Sequence, residues 1–362
     1  MLRHFDVCVV GGGPSGLSAA YTLACSNMSV ALIMNQKPRS INAGETLHPS
    51  ALDSIMKMQL LSEFEKLDFK KIAGFESSWG NSHPKFKSSI QMPAGAGWLF
   101  QRTAFEDMIL KQFEIKGGLV LIGDFKIENR NKWHLTSEVA EITVEISASF
   151  LVIATGRNHL NNLSFSPRHA LDKLICYTIQ ACCEDDDMTV KLDALEAGWL
   201  YTVKNHNGFR VISFFTDGDL FKEKNPSVIA RQLTSLIRSA PSVSKIAKNT
   251  DGLLNNSITV SSANTTFIEK AYGDRWLACG DYAQTFDPLC SQGISYALSS
   301  GIEAGNSIIE FLSGLNNTLQ FYELSRRTQF HEYLKLRKAY YNMEKRWNST
   351  KFWSRRNGAM PS

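Results

Sequence analysis

Two glycine-rich stretches at opposite ends constrain this chain more than any other feature. Near the start, Val9-Val10 runs into Gly11-Gly12-Gly13-Pro14-Ser15-Gly16. Far downstream, Trp276-Leu277-Ala278-Cys279-Gly280-Asp281 is followed by Asp287-Pro288-Leu289-Cys290-Ser291-Gln292-Gly293. Phe5–Val10 is apolar and β-rich, so the first stretch reads as a buried strand that turns through glycine into a helix over Leu17–Cys25. Gly11 permits the tight turn, Gly13 lets backbone approach a diphosphate, and Gly16 lets the helix pack close to the strand. Pro14 and Ser15 complete the turn. The helix aims free N–H groups and its positive dipole end at the phosphates.

The second stretch complements the first. Gly280-Asp281 follows an apolar strand and places a carboxylate as acceptor for a ribityl hydroxyl; the alternative for Asp281 is a helix N-cap. Pro288, Ser291, Gln292 and Gly293 form a turn suited to lie along an isoalloxazine ring, with Gly293 opening the next helix toward it. In this order the two stretches imply one FAD held by both ends of one chain. Phe150–Gly156 is a further buried strand, and its terminal Gly156 turns beside the nucleotide. One position departs from the pattern. An acidic residue is expected about 20 residues on, after the second strand Val30–Ile33, to take the ribose hydroxyls. Here the chain reads Met34-Asn35-Gln36. Asn35 or Gln36 supplies a hydrogen bond without charge, so FAD is expected to be held weakly.

The chain has 362 residues, enough for two joined subdomains, and a net charge of only +4. No stretch approaches the length of apolar sequence a spanning helix needs, and no secretory signal pattern precedes the first strand. The seven cysteines have neither CxxC nor Cys/His spacing, which indicates no disulfide framework and no metal site. A reducing cytoplasm is the expected location. Cys182-Cys183 reads as two small buried residues, a vicinal redox pair being the alternative.

The coarse organisation is α/β. A Rossmann-like FAD-binding domain is expected over 1–166, with a β-ribbon at Trp133–Leu135 and Ile142–Ile146. An antiparallel β-sheet substrate domain is inserted over 167–267. The chain returns to the first domain over 268–317 and ends in amphipathic helices over 318–362. Ser50 is placed to cap a helix over Ala51–Leu61, and Arg102 lies just before a helix over Ala104–Lys116.

Four segments carry a family likeness: Gly44-Glu45-Thr46-Leu47-His48-Pro49; Gly198-Trp199-Leu200-Tyr201 with Phe214-Phe215-Thr216-Asp217; Gly280 through Gly293; and Tyr340-Tyr341-Asn342-Met343-Glu344-Lys345-Arg346-Trp347. With these the chain resembles flavoproteins of the para-hydroxybenzoate hydroxylase fold, on the branch that contains flavin-dependent halogenases. Within that branch it is similar to the maturation flavoproteins that modify a tryptophan in a partner oxidase, such as the accessory proteins of quinone-cofactor lysine ε-oxidase and glycine oxidase.

The resemblance implies an FAD-dependent monooxygenase that uses O2 and hydroxylates a tryptophan of a precursor protein during tryptophylquinone biogenesis. It places Glu45, Thr46 and His48 on a loop crossing near the flavin. His48 is the candidate proton donor or base by its pKa. Arg102 resembles the family arginine that reaches back to the flavin. Cys290 is either redox-active beside the ring or a small packing residue. The alternatives are a small-molecule halogenase or hydroxylase acting on an indole or phenol, and a flavoprotein chaperone.

Tryptophan halogenases carry Trp-x-Trp-x-Ile-Pro in midchain; Trp199-Leu200-Tyr201-Thr202-Val203-Lys204 fails at most of those positions. They also carry a glutamate where this chain has Cys290. Their lysine is matched only loosely by Lys70 or Lys71, adjacent lysines that read as a solvated face. A midchain Asp-Gly motif and a second dinucleotide glycine motif are both missing. Electrons are therefore expected from a separate flavin reductase or from loosely bound NAD(P)H.

From Phe321 to Ser362 there are ten Lys/Arg against three Glu, interleaved with aromatic residues. Such composition suits nucleic acid, an acidic membrane surface or a protein interface. The favoured partner is the precursor protein, with no nucleic acid involved. For most of the helix the favoured reading is nonetheless an aromatic face packed on the flavin domain with a solvated basic face. The last turn, Phe352-Trp353-Ser354-Arg355-Arg356, is the part least readily explained by packing.

Overall fold

The Arg3–Val10 strand runs through the middle of the first sheet. Ile142–Ile153 lies parallel to it on one side and Val30–Met34 on the other. Trp276–Ala278 extends the sheet beyond the former, and Leu119–Ile122 beyond the latter, both in parallel. This is a computed structural model that describes residues 3–35, 45–139, 142–158, 165–182, 186–205, 207–221, 223, 225–244 and 258–358. The strands are near-continuous apolar runs because both faces are covered; Val7, Val9, Leu32, Leu151 and Val152 have no exposed surface. Gly11, Asn35, Gly156 and Gly280 all follow the carboxyl ends of these strands. In open α/β sheets that edge is where ligands bind.

The expected β-ribbon and the strand entering Gly156 prove to be continuous. Ile142–Ile153 is one twelve-residue strand. Its first half pairs antiparallel with Trp133–Val139, and from Ile146 to Ile153 it pairs with Arg3–Val10. Ser147 and Ser149 make the sequence read as interrupted, but their hydroxyls meet the two ring nitrogens of His4 at 3.0 and 3.1 Å.

The second sheet has the order Thr259–Ser262, Leu174–Cys182, Phe209–Asp217, Gly198–Lys204, Thr189–Leu195, Gly74–Ser78, Lys85–Ser88. It is antiparallel except where Thr189–Leu195 runs parallel to Gly74–Ser78. Two of its strands therefore come from the stretch expected to serve only the first domain. Alternation gives the sheet two different faces. Tyr177, Ile179, Ile212 and Phe214 pack on Ile229, Leu233 and Ile237 of the helix Pro226–Ser239. Their strand neighbours Cys176, Thr178, Ser213 and Phe215 face the opposite way, into a cavity.

Helix boundaries move with local chemistry. Pro14, tolerated at a first helical position, starts the first helix at Pro14–Cys25. Arg102 begins its helix, Arg102–Ile115. Ala51–Lys57 and Leu61–Glu65 are separate short helices. Ser50 gives no side-chain cap; its hydroxyl instead meets His48 Nδ1 at 2.8 Å and donates to Ser295 Oγ at 3.0 Å.

The C-terminal segment forms two helices, Thr318–Met343 and Lys351–Asn357. Packing accounts for its last turn. Phe352 and Trp353 are fully buried, and Trp353 Nε1 donates to the Leu195 carbonyl at 2.8 Å. Arg356 donates to Asp217 at 2.6 Å, while Arg355 bridges Asp217 and Asp219, each at 2.8 Å. The basic and aromatic residues are thus a clasp on the second sheet. Among the described residues no helix is long and apolar enough to cross a membrane.

Candidate flavin site

A cavity of about 1060 Å³ lies between the carboxyl edge of the first sheet and the inward face of the second. Its first-sheet side is the glycine turn Gly11–Ser15, together with Asn35 and Gly156. Gly11 has φ +121°, and a Cβ there would come 2.1 Å from the Ala154 carbonyl oxygen, so only glycine fits. At Gly13 a Cβ would meet nothing within 4 Å. The turn therefore opens into the cavity, as close approach by a diphosphate requires. The helix behind it, Pro14–Cys25, begins at the cavity and presents the N–H groups of its first turn beyond Pro14.

The two glycine-rich stretches touch. Gly280 has φ +61°, and a Cβ on it would lie 2.3 Å from Ser15 Oγ. Its N–H donates to Ser300 Oγ at 3.0 Å. This contact sets Asp281 at the cavity wall. Gly16 and Gly280 shape the site from behind, without lining it.

Asp281 sits among arginines. Arg157 Nε is 3.7 Å from its carboxylate. Burial pushes the Asp281 carboxyl above its usual range, and Arg157, Arg102 and Arg168 offset this only in part. The sequence reading missed Arg157; its position directly after the Thr155-Gly156 turn was the available signal.

Glu45 and Arg102 meet across the cavity edge in a bidentate pair, Arg102 Nε donating to Glu45 Oε2 at 2.7 Å. Thr46–Leu47 pairs with Trp98–Leu99, and Phe100 N–H donates to the Glu45 carbonyl at 3.0 Å, which brings the two together. Burial disfavours the Arg102 charge, but Glu45, Glu106 and Asp281 more than restore it, holding its pKa above the ordinary value. Glu45 thus orients a cation at the cavity.

His48 does not line the cavity. Its ring is engaged by Ser50, and burial lowers its pKa. Lys70 and Lys71 are exposed, also away from the lining. Cys290 is buried with Phe286, Tyr296, Phe330 and Tyr333, and burial pushes its thiol up to about 12. That thiol is neutral at physiological pH and is packing in kind.

Pro288, Ser291 and Gly293 line the cavity, while Gln292 lies behind them. Ser291 takes a left-handed conformation at φ 50°, after which the twenty-residue helix Gly293–Leu312 begins at the cavity. The loop is anchored by Asp287, which is 1% exposed. Its carboxylate accepts from Leu289 N–H at 3.0 Å, Tyr341 OH at 2.8 Å and Arg337 Nε at 3.3 Å. Tyr341 in turn accepts from Trp199 Nε1 at 3.1 Å. The Pro288–Gly293 loop, the C-terminal helix and the second sheet are therefore joined by one buried network, which no local sequence signal announces.

The glycine turn, the acid, the arginine and the helix start at Gly293 fit FAD in donor set and space. The chain shares the fold of the flavin-dependent halogenases CmlS and CndH. A family model described as "Glucose inhibited division protein A" matches residues 6–161. Over 98% of its length the chain is 26% identical to the putative FAD-dependent oxidoreductase LodB of Marinomonas mediterranea, covering 97% of that protein. Among solved structures it is similar to the peptidyl tryptophan dihydroxylase QhpG, essential for tryptophylquinone cofactor biogenesis. That match has TM-score 0.81 and 17% identity, and covers 98% of this chain and 79% of the other. It is also similar to the myxobacterial chondrochloren halogenase CndH, at TM-score 0.83 and 19% identity over 99% of this chain and 86% of that one.

Proposed function

We propose that this chain is an FAD-dependent monooxygenase that hydroxylates a tryptophan side chain of a precursor protein, in the biogenesis of a tryptophylquinone cofactor in a partner amino-acid oxidase. The observation that carries the reading is the continuous cavity running from the diphosphate turn to the inward face of the second sheet. End-to-end similarity to LodB and the fold shared with QhpG support it.

When bound, reduced FAD supplies the activation of O2 and the transfer of one oxygen to an electron-rich ring. The chain's residues do the rest. Gly11–Ser15 and the helix start at Pro14 receive the diphosphate. Asp281 accepts from a hydroxyl of the sugar chain, and Arg102, aligned by Glu45, places positive charge at the cavity. Pro288–Gly293 positions the ring system, braced by Asp287 and Tyr341. The second sheet closes over the reacting atoms and excludes water. Electrons come from a separate reductase or from transient NAD(P)H.

Labelling with ¹⁸O₂ tests this reading. A partner oxidase co-expressed with the chain under labelled gas is digested and mapped. The expected result is heavy oxygen in one tryptophan-containing peptide. Label only from heavy water, or in no peptide, refutes it. Halide-dependent modification of a free indole or phenol would identify the small-molecule alternative, which the halogenase relatives keep in view.

A further inference from the structure

The inward face of the second sheet is a two-row grid. Strand register places Ser261, Cys176, Phe215 and Trp199 across one row. The adjacent row is Thr259, Thr178, Ser213 and Tyr201. The first row is dominated by two stacked rings, Phe215 and Trp199, whose centroids are 3.8 Å apart at 14°. The second is a row of hydroxyls: Thr178 Oγ1 lies 3.2 Å from Ser213 Oγ, and Tyr201 OH reaches Thr46 Oγ1 at 3.5 Å. Thr178, Ser213 and Tyr201 all line the cavity.

The grid carries no charge. Burial raises the Cys176 thiol to about 11 and also raises the Tyr201 phenol, so both stay neutral at physiological pH. The charged side chains that line the cavity are Glu45, Arg102, Asp124, Arg157, Asp281 and Asp287. Among the described residues all of them come from outside the second sheet's strands. Glu45 is paired with Arg102, Arg157 lies beside Asp281, and Asp287 is held by Arg337. A carboxylate or ammonium brought under the grid would lose water among neutral side chains, and Glu45, whose neighbour Thr46 meets Tyr201, is already paired with Arg102, so burying such a charge is costly. A neutral ring N–H or O–H would meet hydroxyl oxygens, with a flat aromatic surface alongside.

We infer that the row Thr178–Ser213–Tyr201 is the specificity determinant of this cavity: it accepts a neutral aromatic ring carrying one N–H or O–H and rejects rings bearing a free carboxylate or ammonium group. The inference rests on the reading of the second sheet as the substrate face of the flavin site. It narrows that reading to a side chain within a polypeptide, or an uncharged free ring, over a free amino acid.

The test is equilibrium binding, which needs no turnover. FAD-loaded full-length protein is titrated with N-acetyl-tryptophanamide, indole-3-propionate and tryptamine, followed by the flavin difference spectrum. The neutral amide is expected to bind at least tenfold tighter than either charged analogue. Thr178→Val and Ser213→Ala remove hydroxyls with little change of volume. Each is expected to weaken N-acetyl-tryptophanamide severalfold and to leave its 1-methyl analogue, which lacks the ring N–H, unchanged. Equal binding of a charged analogue overturns the inference, as does an equal loss for both amides or binding of no indole at all. In those cases labelled oxygen on a partner tryptophan would still uphold the proposed function. An unmodified partner together with the predicted selectivity would do the reverse.

Discussion

Trp353→Ala separates a structural clasp from a docking arm. The Trp353 ring is fully buried, 5.3 Å from Trp79, 5.8 Å from Tyr341 and 5.3 Å from Phe352 by centroids. Truncating a buried aromatic ring to alanine costs about 3–5 kcal/mol through lost transfer energy and the cavity left behind. The Leu195 carbonyl also loses its donor, which adds roughly 1 kcal/mol. At about 1.3 °C per kcal/mol for a chain this long, the midpoint should fall by roughly 5–8 °C. The assay is thermal unfolding of the FAD-loaded protein, read by tryptophan and flavin fluorescence together. Lys351→Ala, on the exposed side of the same helix, is the control and should stay within about 0.5 kcal/mol. An unshifted midpoint for Trp353→Ala, with loss only of activity on the partner, would refute the clasp and restore the docking role.

Other outcomes follow from the same geometry. Asp281→Ala removes a charged acceptor at the cavity wall, worth about 1.5–3 kcal/mol, and should weaken FAD by roughly 10- to 150-fold in a flavin-quench titration; unchanged affinity would remove Asp281 from the site. Asn35→Asp restores a carboxylate at the end of the second strand and should tighten FAD about fivefold, near 1 kcal/mol; weaker binding would show that the ribose does not lie there. Cys290, with its thiol raised to about 12 by burial, should resist iodoacetamide at pH 8 in the native protein while exposed Cys25 reacts, and Cys290→Ala should keep activity within about twofold, because the side chain packs behind the cavity lining. Arg355 lowers the Asp219 pKa from 3.8 to about 2; the pair's contribution is therefore present above the unfolded value and lost as pH falls through about 2. Acid loosening of the last helix, followed by Trp353 fluorescence, should be displaced toward neutral pH in Asp219→Asn.

The parts of this fold that were legible in the sequence are those whose signals are local. Glycine turns after apolar strands and a proline at a helix start are read within a few residues, and the two stretches they mark line one cavity. The grid on the second sheet depends on register among strands from 174 to 262, which a single strand does not encode. The pairing of Gly74–Ser78 with Thr189–Leu195 depends on contacts more than a hundred residues apart. Arg355 and Arg356 look like surplus charge until Asp217 and Asp219 are brought against them by the fold. Ile142–Ile153 runs unbroken through Ser147 and Ser149, whose hydroxyls meet the ring of His4 from the far end of the sequence. The Glu45–Arg102 pair joins residues that each looked free to act alone.

The most direct test of the central claim is the intact mass and peptide map of the partner oxidase, expressed with and without this chain. The account predicts added oxygen on one tryptophan only when the chain is present and loaded with FAD. A partner of unchanged mass beside the FAD-loaded protein would contradict it.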